Sequence, residues 1–203
     1  MSHEEAIKFL KKDPKLAKII KQVGSYNVKI TKNRYQSLVE AIIAQQLSGN
    51  AAESILGKFK KLYKSKFPKP IEVIKTPDSK LRLVGLSKMK VSYIKDLSKK
   101  IENNHLNIRK ITAYSDESII EQLTSVRGIG RWTAEMFLIF SLGRLDVLPL
   151  GDLGLKKGIQ LMYSYDELPK EKEIEQLAEA WRPYRTVATW YLWKSLQKFD
   201  TIG

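Results

Sequence analysis

The sequence predicts an all-α protein of about ten helices. Three observations lead there. Apolar residues recur every three to four positions along most of the chain, the period of one buried helical face. No pair of stretches keeps the two-residue alternation expected of partnered strands. Gly, Pro, Ser and Asp fall between the periodic runs, where they cap or stop helices.

Taken in order, Ser2 is placed to cap a first helix carrying Ala6, Ile7, Phe9 and Leu10, which ends at Asp13 and Pro14. A second helix places Leu16, Ile19, Ile20 and Val23 together and stops at Gly24. "NVKIT" reads as a short extended link. "YQSLVEAIIAQQLS" and "NAAESILGKFKKLYKSKF" read as two helices, the latter ended by Pro68 and Pro70. "TPDSKLRLVGLS" is a short helix with a turn at Gly85, and Val91, Ile94, Leu97, Ser98 and Ile101 mark the next helix. "SDESIIEQLTSV" is capped by Ser115 or Asp116 and runs into Gly-Ile-Gly. "RWTAEMFLIFSLG" is apolar nearly all round, the pattern of an enclosed helix. "RLDVLPLGD" is a loop, with "DVLPL" weakly extended. Two helices follow, the second with Ile174, Leu177, Ala178 and Trp181 repeating. The last helix begins near Pro183, a favoured first-turn residue, and runs to about Phe199. Its core stripe is Ala188, Leu192, Ser195, Leu196 and Phe199, with Trp190 and Trp193 off that stripe. The 203 residues suit one compact unit or two small lobes, and a two-lobed helical body with a central cleft is the expectation.

The apolar fraction of 43% excludes a disordered chain. The balance of 36 Lys and Arg against 22 Asp and Glu leaves a net charge of +14. That charge fits a polyanionic partner, nucleic acid before acidic membrane, and equally a Lys-rich soluble protein. With no cysteine, disulfides, thiolate metal sites and Fe–S clusters are excluded. His3 and His105 stand far apart in polar surroundings, which argues against a His-based zinc site or a Ser-His-Asp triad. The first residues, "MSHEEAIKFLKK", have no secretory apolar core, and the apolar run from Met136 to Leu142 is too short to span a bilayer. An intracellular protein without a membrane partner is expected.

Four features can carry chemistry. In "TSVRGIGRWTAE", Gly128 and Gly130 allow a tight turn and close backbone approach. The turn reads as an ordinary helix corner, or as a phosphate grip made of backbone N–H groups and a helix N-terminus with Arg127 and Arg131 beside it. In "LPLGDLGLKKG", Asp152 opens a helix after Pro149 and Gly151. It is a cap, a rigidly held catalytic carboxylate, or both; Asp146 is better suited to tying down the loop. The aromatics of the last helix, Trp190 and Trp193, either pack on another helix or form a wall that stacks on a flat ligand such as a base. In "AIIAQQLSGNAA", the paired glutamines are a polar helix end, or a side chain that enters duplex DNA and replaces an extruded base.

Together these residues resemble the helix-hairpin-helix (HhH-GPD) superfamily of DNA glycosylases, whose motif is a helix-hairpin-helix, then a Gly/Pro-rich loop, then an Asp. Here that order is "LTSVRGIGRWTAEMFLIF", then "SLGRLDVLPLGD", with Asp152 in the acid position. "GIGRWTA", "AEAWRPYRTVATWYLW", "AIIAQQLS" and "GLSKMKVSYIKDL" are similar to the alkylation-repair branch, 3-methyladenine DNA glycosylase II. The likeness runs from about residue 4 to residue 199 and implies a minimal all-helical form without the β-rich N-terminal domain of some relatives.

The resemblance implies roles. Trp132 stands where bifunctional members carry a nucleophilic lysine, so base release by water without strand cleavage is implied. Trp132 and Trp193 would line the base pocket, with Met136 where relatives often have tyrosine. Asp152 would be the catalytic carboxylate. Arg127, Gly128, Ile129, Gly130 and Arg131 would grip DNA, with a structural Na+ or K+ on carbonyls near Gly128 and Gly130 and no other cofactor. Gln46 matches the wedge position, with Gln45 and Leu47 as alternatives. The partner would be double-stranded DNA containing damaged bases, bound by a monomer. The rivals are another base specificity on the same fold (hypoxanthine, ethenoadenine, 8-oxoguanine, uracil) and a non-catalytic DNA-binding module.

Overall fold

The computed structural model describes residues 3–199. Among these residues there is no strand, as the periodicity predicts. The helices are α1 (His3–Leu10), α2 (Pro14–Val23), α3 (Arg34–Ala44), α4 (Gly49–Leu62), α5 (Pro70–Lys75), α6 (Asp78–Leu83), α7 (Lys88–Glu102), α8 (Asp116–Thr124), α9 (Arg131–Phe140), α10 (Leu153–Tyr163), α11 (Glu171–Ala178) and α12 (Arg185–Phe199). Short 3-10 turns precede α8 and α12. The cap expected from Ser2 lies outside the described residues, as does the side chain of Phe199.

The chain forms two compact units, and the division falls inside α9. One unit joins the segment up to Ile30 to the segment from Leu138 onward. Its centre is α12, which packs on α1, α2 and α10. Every residue from Val187 to Leu192 is buried. Trp181 and Tyr191 are its largest fully buried side chains, and their polar tips are satisfied. Trp181 Nε1–H donates to Asp13 Oδ2 at 3.4 Å and Tyr191 O–H to the Gly24 carbonyl at 3.0 Å. Asp13 also caps α2 through the N–H groups of Lys15 and Leu16.

The second unit, Thr31–Phe137, is built around α7, which packs on α3, α5 and α6. Ser98 interrupts its apolar face without leaving a polar atom stranded. Its hydroxyl donates to the Ile94 carbonyl and shares a 2.7 Å hydrogen bond with the Tyr35 hydroxyl.

Three sequence expectations are corrected. Neither Pro68 nor Pro70 ends a helix: α4 stops at Leu62, and Pro70 is the first residue of α5, where a missing N–H costs nothing. α3 stops at Ala44, so the glutamine pair lies on a turn in which Gln46 has φ +57°. α12 begins at Arg185, near Pro183 as expected. Its aromatics also do not form a second open face. Trp190 is 6% exposed and packs edge-on against Tyr26 at 4.8 Å, because α12 is enclosed on more sides than a single stripe allows.

Two helical glycines should respond oppositely to alanine. A Cβ at Gly57, exposed on α4, would meet nothing, whereas one at Gly158 on α10 would lie 2.8 Å from Leu192 Cβ. Gly57→Ala should stabilise by up to about 1 kcal/mol through helix propensity. Gly158→Ala should destabilise by about 1–2 kcal/mol through overpacking. Thermal melts read both signs, and a rise for Gly158→Ala would contradict the tight α10–α12 contact.

Candidate active site and hairpin

The loop before Asp152 is clamped by the start of α12. Asp146 accepts from Arg185 Nε at 2.8 Å and Nη2 at 3.0 Å, and from Arg182 Nη1 at 2.9 Å. The Thr186 hydroxyl donates to the Arg144 carbonyl at 2.8 Å and accepts from Val147 N–H at 2.9 Å. Asp146 therefore ties down the loop, as its position before Pro149 suggests. The Asp152 N–H closes the turn on the Pro149 carbonyl at 2.9 Å.

Asp152 is the N-cap of α10 and is 9% exposed. Its Oδ1 accepts from Leu155 N–H at 2.7 Å and from Trp193 Nε1–H at 2.7 Å. The cap and the candidate acid are one residue, and Trp193 reaches it with its indole edge. Phe140 lies alongside that indole, ring centres 6.0 Å apart and planes 22° apart.

The hairpin belongs to the other unit and is seated on α7. Gly128 has φ +82°, and a Cβ there would fall 2.1 Å from the Tyr93 ring, so any side chain is excluded. Gly130 has neither constraint: a Cβ there would meet nothing. The hairpin fold thus requires the first glycine, while the second leaves backbone open to an approaching group. The Ile129 N–H is used within the turn by the Val126 carbonyl at 3.1 Å, and its side chain is buried. The Gly128 and Gly130 amides have no backbone acceptor among the described residues. The first-turn amides of α9 point out of the helix N-terminus beside them.

The charged residues of the hairpin divide. Arg131 forms a bidentate pair with Glu117, 2.9 and 3.0 Å, and its Nε donates to Glu135 at 3.1 Å. That pairing holds the Glu117 carboxyl below its ordinary range. Arg131 is committed within the protein rather than offered as a loose cation. Arg127 differs: its side chain is 64% exposed and only 3.6 Å from Asp96.

The predicted wedge residues divide too. Gln45 Nε2–H donates to the Gly128 carbonyl at 2.7 Å, so Gln45 locks the hairpin instead of standing free. Gln46 and Leu47 are exposed. Lys90 ends α3 by donating to the carbonyls of Ile43 at 2.8 Å and Gln45 at 2.7 Å. Lys90, Tyr93 and Asp96 were missed by sequence reasoning. Their spacing of three along α7 puts them on one side of that helix, and this was the available clue.

Trp132 is 51% exposed on the first turn of α9. Met136 lies one turn further on, half-buried, on the same face. The Gly128 carbonyl accepts from Gln45 at 2.7 Å and the Gly130 carbonyl from Ala134 N–H at 3.1 Å. Each carbonyl oxygen keeps a second lone pair for a monovalent cation. Among the described residues no cluster of three or more His, Asp or Glu could hold a metal, and no helix is long and apolar enough to cross a membrane.

A helix, a glycine hairpin, a second helix, a clamped Pro-containing loop and a capping acid define a recognisable class. The profile described as HhH-GPD superfamily base excision DNA repair protein matches residues 39–183, and the chain belongs to that superfamily. It is similar to DNA-3-methyladenine glycosylase 1 of Schizosaccharomyces pombe, 33% identical over 93% of this chain and 85% of that protein. Its fold matches the crystal structure of the Schizosaccharomyces pombe 3-methyladenine DNA glycosylase in complex with abasic DNA, with TM-score 0.84 and 32% identity over 95% and 97% of the two chains. It also matches a DNA-3-methyladenine glycosidase from Bacillus halodurans, with TM-score 0.87 and 38% identity over 95% and 89%.

Asp96 supplies a pH test of the hairpin's seat. Burial works to raise its carboxyl, but the Arg127 N–H, Lys100 and the Arg127 guanidinium outweigh that and hold it below the ordinary value. The resulting stability is present above the unfolded carboxylate's pKa of about 3.9 and disappears as pH falls through the lower folded value. Asp96→Asn should therefore lower stability at pH 7 and reduce the loss seen between about pH 5 and pH 2. Denaturant midpoints across that range test this, and an unchanged acid limb would count against it.

Proposed function

We propose that the protein is a monofunctional DNA glycosylase that hydrolyses the N-glycosidic bond of alkylated purines of the 3-methyladenine and 7-methylguanine type. It leaves an abasic site for base excision repair. The observation that carries this reading is Asp152, a nearly enclosed carboxylate held at Oδ1 by two donors, in a chain with tryptophan and not lysine at position 132. Membership of a base excision family and likeness to named 3-methyladenine glycosylases support the substrate class.

In this reading the hairpin grips a phosphate through the Gly128 and Gly130 region, with Arg127 swinging onto the backbone. Its exposed pair with Asp96 is worth under about 1 kcal/mol and is readily exchanged. Gln46 wedges into the duplex, with Leu47 as the alternative, and the damaged nucleotide rotates out. Trp132 stacks on the base, whose positive charge favours an electron-rich aromatic face. The C–N bond breaks with its electron pair leaving on the base. The cationic base thereby becomes neutral and needs little acid assistance. The Asp152 carboxylate stabilises the oxocarbenium sugar left behind and orients the water that adds to it. No cofactor enters this chemistry. The protein acts as a monomer on duplex DNA inside the cell.

The decisive experiment uses duplexes carrying a single 7-methylguanine, hypoxanthine or 1,N6-ethenoadenine. The 7-methylguanine strand should break only after hot alkali. Breakage without alkali would show a lyase, excision confined to the other bases would shift the specificity, and binding without excision would show a module. Asp152→Asn keeps a good helix cap and should slow excision by roughly 10²–10³-fold with DNA affinity retained. Arg127→Ala should weaken binding to all sequences alike and reduce the slope of log affinity against log salt by about 1. A sequence-selective loss would assign Arg127 to base reading instead.

A further inference from the structure

We propose that Trp193 works through its indole edge, as the positioning residue for the Asp152 carboxylate. This inference rests on the reading of Asp152 as the catalytic group.

Three independent observations converge on one contact. First, Trp193 Nε1–H and Leu155 N–H both donate to the same oxygen, Asp152 Oδ1, each at 2.7 Å. The terminal torsion of a carboxylate is otherwise broad and nearly two-fold. Two donors converging on one oxygen remove that freedom, and because the group is planar they also set the direction of Oδ2. Second, the indole is itself held. Phe140 lies alongside it at 6.0 Å and 22°. Third, room is kept for the pair. Gly154 has no positive φ, so its helical backbone would accept any side chain. A Cβ there would nevertheless fall 2.8 Å from Trp193 Cδ1, 3.1 Å from Nε1 and 3.1 Å from Asp152 Oδ1. Glycine in a helix is disfavoured by about 1 kcal/mol against alanine, so its presence here marks space that the indole–carboxylate pair occupies.

The geometry of α12 makes the contact part of one device. Thr186 holds the loop that leads to the acid, and Trp193, seven residues on and hence about two turns along the same face, holds the acid itself. A residue serving only as a wall for the extruded base would need its ring face, not a donor aimed at Oδ1.

The test is a double-mutant cycle on single-turnover excision of 7-methylguanine from a duplex. It uses wild type, Trp193→Phe, Asp152→Asn and the double variant. Trp193→Phe should slow excision by about tenfold, the loss expected for one hydrogen bond to a charged group, with DNA affinity unchanged. The double variant should be no slower than Asp152→Asn alone, because the donor acts only through the carboxylate. Gly154→Ala, which removes neither side chain but crowds both, should reproduce the Trp193→Phe loss. The indole N–H resonance that Trp193→Phe deletes should be protected from exchange in wild type and lose protection in Gly154→Ala. Additive losses in the cycle would overturn the inference and assign Trp193 to the base itself, as would a Trp193→Phe protein as fast as wild type. If wild type excises none of the lesions, the proposed function fails and the positioning role fails with it. Active wild type with additive losses sinks the positioning role alone.

Discussion

Arg185 makes four hydrogen bonds to Asp146: from its backbone N–H and Nε to Oδ1, and from Nη2 to Oδ2 and to the carbonyl. The placement of the candidate acid depends on that grip. A loop with a proline and a Gly-Asp turn could leave α9 in many directions. Fastened at Asp146 and Val147, it has few ways to reach α10. The Arg182 guanidinium adds a further bond to Asp146 from the turn before α12. Because α12 is enclosed from Val187 to Leu192, the anchor cannot drift. Core packing thus becomes site geometry through one helix.

The hairpin obeys the same logic with different chemistry. Its carrier is α7, which presents Lys90 to the end of α3, Tyr93 to Gly128 and Asp96 to the Arg127 amide. Gln45 adds the bond that joins the turn after α3 to the hairpin. A glycine-rich turn left to itself would sample many shapes. Here one ring, one amide and one carboxylate select a single shape, and the exposed Gln46 and Leu47 ride on it.

Much of the fold was legible in the sequence because it rests on local rules. The three-to-four spacing located the helices, and the glycine turn and the Pro-Gly-Asp loop stood out as interruptions with definite backbone demands. The misreadings have equally definite causes. Pro70 reads as a stop, since a proline looks alike at the end of one helix and at the first position of the next. Trp190 lies off a single stripe, which leaves core packing and a ligand wall both open; it is core because α12 is buried on several faces. The resemblance assigns Arg131, and Gln45 as an alternative wedge, to DNA. Both also bond within the protein: Glu117 and Gly128 sit at separations that no periodicity reveals, whereas Glu135 is an i+4 partner of Arg131 on α9. Gly128 and Gly130 look identical in sequence; the positive φ of Gly128 and the position of Tyr93 tell them apart.

The division of the chain also bears on the order in which it folds. The unit around α12 is discontinuous: α1 and α2 are made first, yet the helix they pack on is made only after the whole of the other unit. Leu16, Ile19 and Ile20 therefore wait for their partners while Thr31–Phe137, one continuous segment, closes around α7. Contacts separated by so much chain form late and slowly. The candidate acid, held by Trp193 just past the middle of α12, is thus among the last features to be assembled. A nascent chain can seat its hairpin well before it has the carboxylate that would let it cut a glycosidic bond.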